Sequence, residues 1–388
     1  MNINKLILQL SSRARHISSF TQNQRFKRSF LHPSSCMSTN VSISQTGKDK
    51  ETFQDVLPGI IETLVSNPKF AQIPEVGSWV RQVLDYNLIG GKKTRGLTTV
   101  FAYEMLEKPD NVTDETLRLA RTLGWCVEML QAYFLVVDDI MDGSTTRRGM
   151  PCWYRMPNVG LGAINDSILI YCSIYETLHA NFGKSPLYVH LLELFNETLL
   201  YTSMGQHLDF TMAHRTKSDY SLFTIDRYNS IVKHKTSYYT FNLPVSLGLL
   251  LANNVDKRTH EEVKEICFEL GRLFQIQDDY IDCFGDELVT GKAGTDIQEG
   301  KCSWLAVNAL QRCNEPQRAL FVQCYASKDP KHVKIIKQLY EELEIPEIFK
   351  QEEKSIYNNI VKRANALPSN TSPALFIKLI DMMYKRKQ

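Results

Sequence analysis

Apolar residues recur at helical spacing along most of this chain. Ser185 and Pro186 suit the N-cap and the first position of a helix, and beyond them apolar side chains return every three or four residues as far as Leu199. The same period predicts further helices over residues 118–142, 161–182, 226–252 and 259–285. Strand-like alternation is scarce, so the pattern predicts an all-α protein.

Several of the predicted helices are apolar on nearly every face, which is typical of a buried layer in a large helical bundle. Most prolines fall between the helices, but Pro244 lies inside one and should kink or end it, because proline lacks a backbone N–H. No gap between helices is long enough to indicate a second domain. We therefore predict a leader and linker over residues 1–50 and a single helical domain over residues 51–388.

Two clusters of aspartate stand 140 residues apart, and each follows a strongly apolar run. The six carboxylates are those of Asp138, Asp139, Asp142, Asp278, Asp279 and Asp282. On a helix the first and last aspartate of each cluster point the same way, because they are four residues apart. Gly143 and Gly285 follow as natural helix stops.

The carboxylates therefore lie at C-terminal helix ends, where the helix dipole repels each of them by about 0.3–1 kcal/mol. Acidic residues at solvated helix ends would explain one such cluster. Two matching clusters indicate instead that the helix ends face each other and bind cations between them.

The chemistry of these carboxylates indicates which cation they bind. Neither five-residue cluster contains His or Cys, and oxygen ligands suit a hard ion. Mg²⁺ usually takes one or two carboxylates and fills its remaining positions with water and phosphate oxygens. Arg147 and Arg148 follow the first cluster, and Lys292 and Lys301 follow the second. Two opposed clusters flanked by cations are suited to hold a diphosphate through several Mg²⁺ ions.

A short basic loop lies earlier in the chain. Gly90–Gly96 combines glycines, which free backbone amides, with Lys92 and Arg95, a combination that suits phosphate oxygens. A generic surface turn has a similar composition. Lys233 and Lys235 lie in an aromatic segment, where lysines are more often surface residues whose stems cover apolar neighbours.

The composition limits the classes of partner. The chain of 388 residues has a formal net charge of +2, but six of its 45 basic residues and none of its 43 acidic residues lie in residues 1–40. The remainder, with 39 basic and 43 acidic residues, lacks the positive balance of a nucleic-acid-binding protein. No apolar run reaches the ~20 residues of a membrane span. The nine cysteines form no CxxC pair, so we expect a reducing compartment and neither a disulfide framework nor a zinc site.

Residues 1–40 are basic, rich in serine and free of acidic residues, which is the composition of a mitochondrial transit peptide. A disordered basic tail has the same composition, whereas the apolar core of a secretory signal is missing. We therefore predict localisation in the mitochondrial matrix, with Met37 as the start of a shorter cytosolic form.

Taken together, the motifs resemble those of a known family. Over about residues 55–388 the chain is similar to the short-chain trans-isoprenyl diphosphate synthases, most closely the farnesyl diphosphate synthases of the animal and fungal type. The matching stretches are Gly90–Gly96, Leu130–Asp142, Thr146–Gly149, Gly205–Asp209, Lys233–Thr236, Phe274–Asp282 and Thr290–Trp304.

The resemblance implies a fold, a cofactor and partners. The fold is the all-α isoprenoid synthase fold, a large single-domain bundle of long antiparallel helices around a central cavity. The cofactor is Mg²⁺, with three ions in each active site and Mn²⁺ as a substitute. The ligands are isopentenyl diphosphate and allylic diphosphates, and the enzyme is a homodimer.

The resemblance also implies roles for individual residues. The metal ligands are Asp138, Asp142 and Asp278, supported by Asp139, Asp279 and Asp282. The allylic diphosphate is contacted by Arg147, Lys235 and Lys292, with Lys301 as a further substrate-binding residue. Isopentenyl diphosphate is bound by Lys92, Arg95, Gln131 and Arg148. Thr236 and Gln275 turn oxygens toward the allylic cation, and they act in catalysis together with Arg147 and Lys235. Asp209 anchors the cationic side of the pocket.

The implied reaction is a head-to-tail condensation by ionisation of the allylic diphosphate, alkylation and proton loss. Fixed cations suit this chemistry because they stabilise the leaving diphosphate without reorganising. Phe134 lies one helical turn before Asp138, with Tyr133 beside it, so their rings should form a floor that limits the product to C15 farnesyl diphosphate. Both are also ordinary core aromatics.

Some positions depart from the usual family pattern. Lys93-Thr94 replaces an apolar residue followed by Asn, Glu299-Gly300 replaces Asp-Asn, and Tyr133 replaces a frequent Phe. A product mixture that contains C10 geranyl diphosphate therefore stays open. Two alternatives share part of the pattern, a terpene cyclase and a non-catalytic subunit of a heteromeric prenyltransferase. The second aspartate cluster and the basic loop argue against a cyclase, and two intact clusters argue against a non-catalytic subunit.

Overall fold

The fold is built almost entirely from α-helices, as predicted. The structure is a computed structural model that describes residues 43–215, 219–285, 294–368 and 371–384, and the part from Ser44 onward forms one compact unit. In chain order the helices are α1 (Ile43–Gln54), α2 (Leu57–Val65), α3 (Pro68–Ala71), α4 (Pro74–Leu88), α5 (Thr94–Leu106), α6 (Asp114–Asp142), α7 (Ala163–Phe182), α8 (Tyr188–Arg215), α9 (Ile225–Val232), α10 (Leu243–Leu251), α11 (Lys257–Phe284), α12 (Asp296–Glu299), α13 (Trp304–Arg312), α14 (Glu315–Cys324), α15 (Pro330–Glu342), α16 (Ile345–Ala364) and α17 (Pro373–Tyr384).

Shorter elements connect these helices. A small antiparallel hairpin pairs β1 (Thr146–Arg147) with β2 (Met150–Pro151). A π-helix, Lys233–Asn242, joins α9 to α10. Single turns of 3₁₀-helix cover Pro109–Asn111, Trp153–Arg155, Gly160–Gly162 and Tyr220–Leu222.

The predicted helices lie close to their expected bounds. α6 begins at Asp114, four residues before the predicted start, because Thr113 and Thr116 form a capping box that satisfies its first backbone amides. α7 and α11 match their predicted segments to within two residues. The helix predicted to begin at Pro186 begins at Tyr188.

Pro244 does not end the helix that contains it: residues 225–251 are helical without a break, and a π-helix precedes the proline. The predicted segment 226–252 is divided into α9, the π-helix and α10, and Pro244 takes the second position of α10. A residue in the first turn needs no intrahelical donor, so its missing N–H costs little there. The ten residues before α10 are wound more widely, with hydrogen bonds that join residues five apart.

Two glycines let neighbouring helices approach the π-helix closely. A Cβ atom on Gly205 of α8 would lie 2.6 Å from Lys235 Cα, and one on Gly271 of α11 would lie 2.6 Å from Ser237 Cα. Both distances are far below van der Waals contact, so a larger residue would force the helices apart. α8 and α11 therefore pack directly against the backbone that carries Lys235 and Thr236.

α10 lies inside the hydrophobic core. Its residues from Leu243 to Leu250 are buried. Val245 and Leu249 pack into a cluster with α11 and the C-terminal helices, whereas Leu243 and Leu247 pack into a cluster with α2, α4, α6 and α7. This helix is the buried apolar layer that the sequence predicted.

The predicted leader lies mainly outside the described residues, so its boundary with the helical domain stays a prediction. α1 begins at Ile43 and continues past residue 50. Among the helices that the structure describes, none combines the length and apolar character required to cross a membrane.

We expect Gly205→Ala to lower the free energy of unfolding by about 1–3 kcal/mol, the usual cost of overpacking a tight contact. The added methyl group would push α8 away from the backbone of Lys235. Urea denaturation followed by circular dichroism measures the change.

Gly59→Ala is the matched control, because nothing lies within 4 Å of a Cβ atom at Gly59 in α2. Alanine should raise the free energy of unfolding there by about 0.5–1 kcal/mol, the helix preference of alanine over glycine. Equal stability of the two variants would contradict the argument from close packing.

Candidate active site

The six predicted aspartates lie at the C-terminal ends of α6 and α11. Gly143 ends α6 in the left-handed conformation, with φ of 66°, whereas Gly285 ends α11 in an extended conformation. Each helix end buries one carboxylate, because Asp139 and Asp279 are only 3% and 2% exposed. The other aspartates of each cluster reach solvent at least in part.

Hydrogen bonds hold the second cluster in place. Asp279 Oδ1 accepts from Gln275 Nε2 at 2.9 Å, and its Oδ2 accepts from the backbone N–H of Trp304 at 2.8 Å. Asp282 Oδ1 accepts from the backbone N–H of Asp296 at 3.0 Å. Burial and the nearby charge of Asp296 raise the pKa of Asp279 above its usual range. The segment that leads into α13 is thus fastened to the end of α11.

The first cluster is bound by residues from two other elements. Gln206 Nε2 in α8 donates to Asp138 Oδ1 at 2.6 Å. Arg147 in β1 donates to Asp139 Oδ1 from Nε at 3.0 Å and from Nη2 at 2.5 Å. The same Nη2 lies 3.8 Å from Asp138 Oδ2. The hairpin therefore folds back so that one guanidinium spans both carboxylates.

Lys235 provides a second cation at the first cluster. Its Nζ lies 3.8 Å from Asp138 Oδ1 and forms a short ion pair with Asp209. Burial opposes the charged form, but the charges of Asp209 and Asp138 raise the pKa of Lys235. The lysine therefore stays protonated beside the carboxylates.

Lys301 connects the two clusters electrostatically. It pairs with Asp296 at 3.4 Å, and its charge acts on Asp278 and Asp279 of the second cluster. It also acts on Asp142 of the first cluster. Desolvation and the charge of neighbouring Asp138 raise the pKa of Asp142 to about 6, while the charges of Lys235 and Lys301 oppose this rise.

The geometric link between the clusters is the π-helix, from which Lys235 Nζ lies 3.8 Å from Asp138 Oδ1. The next residue, Thr236, donates to Gln275, which in turn donates to Asp279. Both acidic helix ends therefore lie beside this π-helix.

Thr236 and Gln275 form a hydrogen-bonded pair beside the second cluster. Thr236 Oγ1 donates to Gln275 Oε1 at 2.8 Å, while Gln275 Nε2 donates to Asp279. These bonds fix the orientation of the Gln275 amide. The two residues were predicted from different stretches of the sequence, and the fold brings them together.

Arg95 is fixed at the start of α5 by residues from two other helices. Its Nη1 donates to Gln131 Oε1 at 2.9 Å, and its Nη2 donates to the hydroxyls of Tyr239 at 2.8 Å and Thr240 at 2.9 Å. The guanidinium also lies 4.3 Å from the centre of the Tyr239 ring. The predicted pair Arg95 and Gln131 is therefore in direct contact.

Two of the remaining predicted cations, Lys92 and Arg148, lie at the basic loop before α5. Lys92 is exposed in the loop before α5. Arg148, in the left-handed conformation with φ of 54°, donates from Nη1 to the carbonyl oxygen of Ile89 at 3.2 Å. The hairpin and the basic loop thus come together. Lys292 lies outside the described residues.

A cavity of about 290 Å³ lies beside the first acidic helix end. Asp138 and Lys235 contribute charge, Gln206 is among its polar lining residues, and more than half of the lining is aromatic or apolar, including Met141 and Phe210. A ligand in this cavity would meet charge at one end and apolar surface along its length.

The two aromatics predicted to limit product length are part of this cavity wall. Phe134 packs against Tyr239 with ring centres 5.9 Å apart, and Tyr133 packs against Tyr171 at 5.5 Å. Behind them, the Tyr171 hydroxyl donates to Asn196 Oδ1 at 3.0 Å. The wall therefore rests on a second layer that is hydrogen-bonded.

Three residues that contact the predicted site were missed by the sequence analysis: Gln206, Tyr239 and Thr240. Gln206 lies three residues before Asp209 on one helix, so both point the same way, and this spacing was a usable signal. Tyr239 and Thr240 offered none, because a π-helix changes the side-chain period that the analysis assumed.

A larger groove of about 590 Å³ lies elsewhere, between α2, α6 and α7. Its lining residues include none of the predicted site residues. Two of its charged groups already pair with neighbours: Arg118 donates to Asn181 at 2.8 Å, and Glu176 pairs with Lys69 at 2.5 Å. The cavity beside Asp138 is therefore the better candidate for the active site.

The carboxylates fit Mg²⁺ best when a substrate supplies further oxygens. In the described part of the chain, no three carboxylate, His or Cys side chains converge closely enough to hold an ion by themselves. Mg²⁺ usually takes only one or two carboxylates and completes its shell with water and phosphate oxygens. Carboxylates on two helix ends beside the same π-helix suit ions that are shared with a diphosphate.

The chain matches a known family over most of its length. The family described as polyprenyl synthetase matches residues 77–343. The farnesyl pyrophosphate synthase of Murgantia histrionica is 43% identical over 344 residues, which cover 88% of this chain and 84% of that relative. The farnesyl pyrophosphate synthase of Gallus gallus is 45% identical over 356 residues, which cover 90% of this chain and 95% of that relative.

Solved structures give the same result. The T. brucei farnesyl diphosphate synthase complexed with risedronate is 33% identical, with a TM-score of 0.77 over 87% of this chain and 98% of that chain. The same enzyme complexed with bisphosphonate BPH-722 gives a TM-score of 0.79, with the same identity and coverage. The expected isoprenoid synthase fold is confirmed, and the chain belongs to the polyprenyl synthetase family as a prenyltransferase.

Proposed function

We propose that this protein condenses isopentenyl diphosphate with dimethylallyl diphosphate, and then with geranyl diphosphate, to give farnesyl diphosphate. The main support is that adjacent π-helix residues, Lys235 and Thr236, connect the two acidic helix ends, and that the first of these ends borders a largely apolar cavity. This arrangement suits a substrate with a diphosphate head and an apolar tail. The relatives described above are named for this product.

The leaving diphosphate is stabilised by cations that are already fixed in position. Arg147 and Lys235 both lie 3.8 Å from Asp138, and we assign them to the allylic diphosphate together with Lys292 and Lys301. When the allylic C–O bond breaks, negative charge grows on the diphosphate. Cations that need not move lower the energy of that state.

Members of the family use divalent metal ions. Bound Mg²⁺ would neutralise further charge on the diphosphate and so favour its departure. The residues that would hold the ions are Asp138, Asp142 and Asp278, with Asp139, Asp279 and Asp282 in support. Three ions per active site, with Mn²⁺ as a substitute, stay predictions.

The allylic cation needs nearby oxygens and protection from water. Thr236 Oγ1 and Gln275 Oε1 carry lone pairs beside the second cluster, and we assign them to stabilise the cation. The aromatic wall around Phe134 excludes water, which would otherwise quench the cation. The double bond of isopentenyl diphosphate then attacks the cation, and the alkylated product transfers a proton to the departed diphosphate.

We assign the second diphosphate to the basic loop. Arg95 is held by Gln131 and by the hydroxyls of Tyr239 and Thr240, so its guanidinium is fixed before a ligand arrives. Lys92 and Arg148 supply the other charges for isopentenyl diphosphate. Tyr239 contacts Arg95 and also lines the cavity, which joins the two substrate sites.

We expect the purified full-length protein to convert isopentenyl and geranyl diphosphates to farnesyl diphosphate in the presence of Mg²⁺, with dimethylallyl diphosphate as a second allylic substrate. Chromatography of the dephosphorylated products measures chain length and the share of C10 geranyl product. A chelator should abolish the reaction. A cyclic hydrocarbon, or no condensation at all, would contradict the proposal.

We expect Asp138→Ala to lower kcat by about 10²–10³-fold, the usual effect of removing one electrostatic contact to the transition state. Its carboxylate is the point where Gln206, Arg147 and Lys235 converge. Asp110→Ala, in an exposed turn, is the control and should keep wild-type kcat. Unfolding of the Asp138 variant in circular dichroism would favour a purely structural role.

We expect Phe134→Ala to lengthen the product beyond C15, because removing the ring opens the cavity wall at its contact with Tyr239. Tyr133→Phe is the matched control, since it keeps the ring and removes only the hydroxyl, and it should still give C15. Product analysis with excess isopentenyl diphosphate measures both. An unchanged C15 product from Phe134→Ala would reject the role of this wall in setting chain length.

We also propose that the protein is a homodimer. Ile164 and Ile168 on α7, and Leu200 and Met204 on α8, form two i,i+4 apolar pairs that are 46–58% exposed. Such an apolar surface suits a self-complementary interface. Light scattering should give a molar mass twice that of the chain. Ile168→Glu should lower the measured mass toward that of the monomer. Val255→Glu, at an exposed position before α11, should have no effect.

We propose that residues 1–40 direct the protein to the mitochondrial matrix and that synthesis from Met37 gives a cytosolic form. The support is compositional: six basic residues, eight serines and no acidic residue in this segment. Residues 1–40 fused to a fluorescent protein should localise to mitochondria. Substituting Arg13, Arg15 and Arg25 by Gln should abolish the mitochondrial localisation. A diffuse signal from the unsubstituted fusion would reject the proposal.

A further inference from the structure

Lys93 is a buried charged residue that the proposed reaction does not use. Only 3% of the residue is exposed. Its Nζ donates to the carbonyl oxygen of Leu88 at 2.5 Å, lies 4.0 Å from Glu128 Oε2 and lies 5.4 Å from the centre of the Trp125 ring. Burying an ammonium group costs free energy, so this position calls for an explanation.

The contacts of Lys93 close the loop between α4 and α5. Leu88 is the last residue of α4, and Lys93 directly precedes α5. Glu128, in the middle of α6, also accepts a hydrogen bond through Oε1 from the backbone N–H of Gly96 at 3.0 Å. The Lys93–Glu128 pair therefore joins the end of α4, the first turn of α5 and α6.

The closed loop has an unusual backbone. Gly90, Gly91 and Lys93 all have positive φ, at 73°, 75° and 53°. For a residue with a side chain this conformation costs roughly 1–2 kcal/mol, and the contacts of the Lys93 side chain help to offset that cost. The loop and its anchor thus form one unit.

The loop shape determines where the proposed diphosphate-binding cations lie. Lys92 is exposed between Gly91 and Lys93. The Arg148 side chain lies against the loop, since its Nε would be 2.9 Å from a Cβ atom on Gly91, and it donates to Ile89. If the loop relaxed, both cations would move.

We propose that Lys93 is a positioning residue for the isopentenyl diphosphate site. Its buried ammonium fixes the loop Gly90–Gly96 in the conformation in which Lys92, Arg95 and Arg148 converge on one diphosphate. The inference rests on the function proposed above for those three cations. Lys93 itself contacts backbone and buried side chains, not substrate.

The charge state of Lys93 supplies a distinctive readout. Burial lowers the pKa of Lys93 to about 8, Glu128 opposes this shift, and Arg148 and Lys50 add to it. These are the charged groups that face it from α6, the hairpin and α1. The lysine is therefore mostly protonated at pH 7 and mostly neutral at pH 9, where it no longer forms an ion pair with Glu128. A bound diphosphate favours the protonated form, so affinity for isopentenyl diphosphate should fall across this range.

Lys93→Met tests the inference, because methionine fills a similar volume without charge. With full-length protein at pH 7 we expect the KM for isopentenyl diphosphate to rise about tenfold, while kcat and the KM for geranyl diphosphate change by less than about twofold. The ratio of the variant's KM to that of the wild type should approach 1 at pH 9. Titration of the substrate affects both proteins equally and cancels in this ratio.

A second variant keeps the inference testable if Lys93→Met does not fold. Lys93→Met leaves Glu128 buried without its partner, which can destabilise the fold. Lys93→Met/Glu128→Gln removes both charges, and the amide oxygen at position 128 can still accept from Gly96. We expect it to melt close to the wild-type temperature and to show the same tenfold rise in KM. A wild-type KM in this well-folded double variant would overturn the inference.

Lys92→Gln separates this inference from the function on which it rests. If Lys92→Gln raises the KM for isopentenyl diphosphate and neither Lys93 variant does, only the positioning role is overturned. If Lys92→Gln leaves that KM unchanged, the assignment of the isopentenyl site fails and the inference fails with it. A ratio of KM values that stays constant from pH 7 to pH 9 would also count against a role for the ammonium.

Discussion

The structure depends on positive charge that offsets the repulsion between the two sets of aspartates at the ends of α6 and α11. Each set lies where the helix dipole is already negative, so bringing the ends of α6 and α11 close is unfavourable without positive charge between them. Lys235 and Lys301 supply that charge within the protein, and Arg147 adds to it from the hairpin. The same cations are suitably located to receive a diphosphate. The electrostatic balance that keeps these helix ends together would therefore also serve the diphosphate site proposed above.

The rest of the bundle holds these groups at fixed separations. α10 is buried on every side and lies next to the π-helix that carries Lys235 and Thr236. α8 and α11 pack against that π-helix through Gly205 and Gly271. The site is therefore built on packed helices, while the hairpin and the basic loop contribute its outer cations. Such a division favours precise placement of the reacting groups.

Much of this arrangement could be predicted from the sequence, because helical periodicity and paired aspartates are local signals. The helix ends at Asp142 and Phe284 lie where the apolar runs and glycines indicated. What escaped prediction depends on tertiary contacts. Tyr239 and Thr240 reach Arg95 only because a π-helix turns them toward α5. The burial of Lys93 was not predicted either, since a basic loop suggests solvent exposure and only packing against Glu128 and Trp125 reverses that expectation. Lys292 lies outside the described residues, so its assignment rests on the family alone.

The π-helix has a consequence for how this chain tolerates changes in length. A wide turn contains an extra residue relative to an α-helix, and it is commonly regarded as a single-residue insertion into a regular helix. Deleting one residue between Lys233 and Asn242 would restore ordinary winding and change the directions in which the side chains of this segment point, including those of Lys235 and Tyr239. The number of residues in this segment therefore constrains the site as strongly as their chemistry does. Insertions and deletions should be tolerated only in the surface loops that connect the helices.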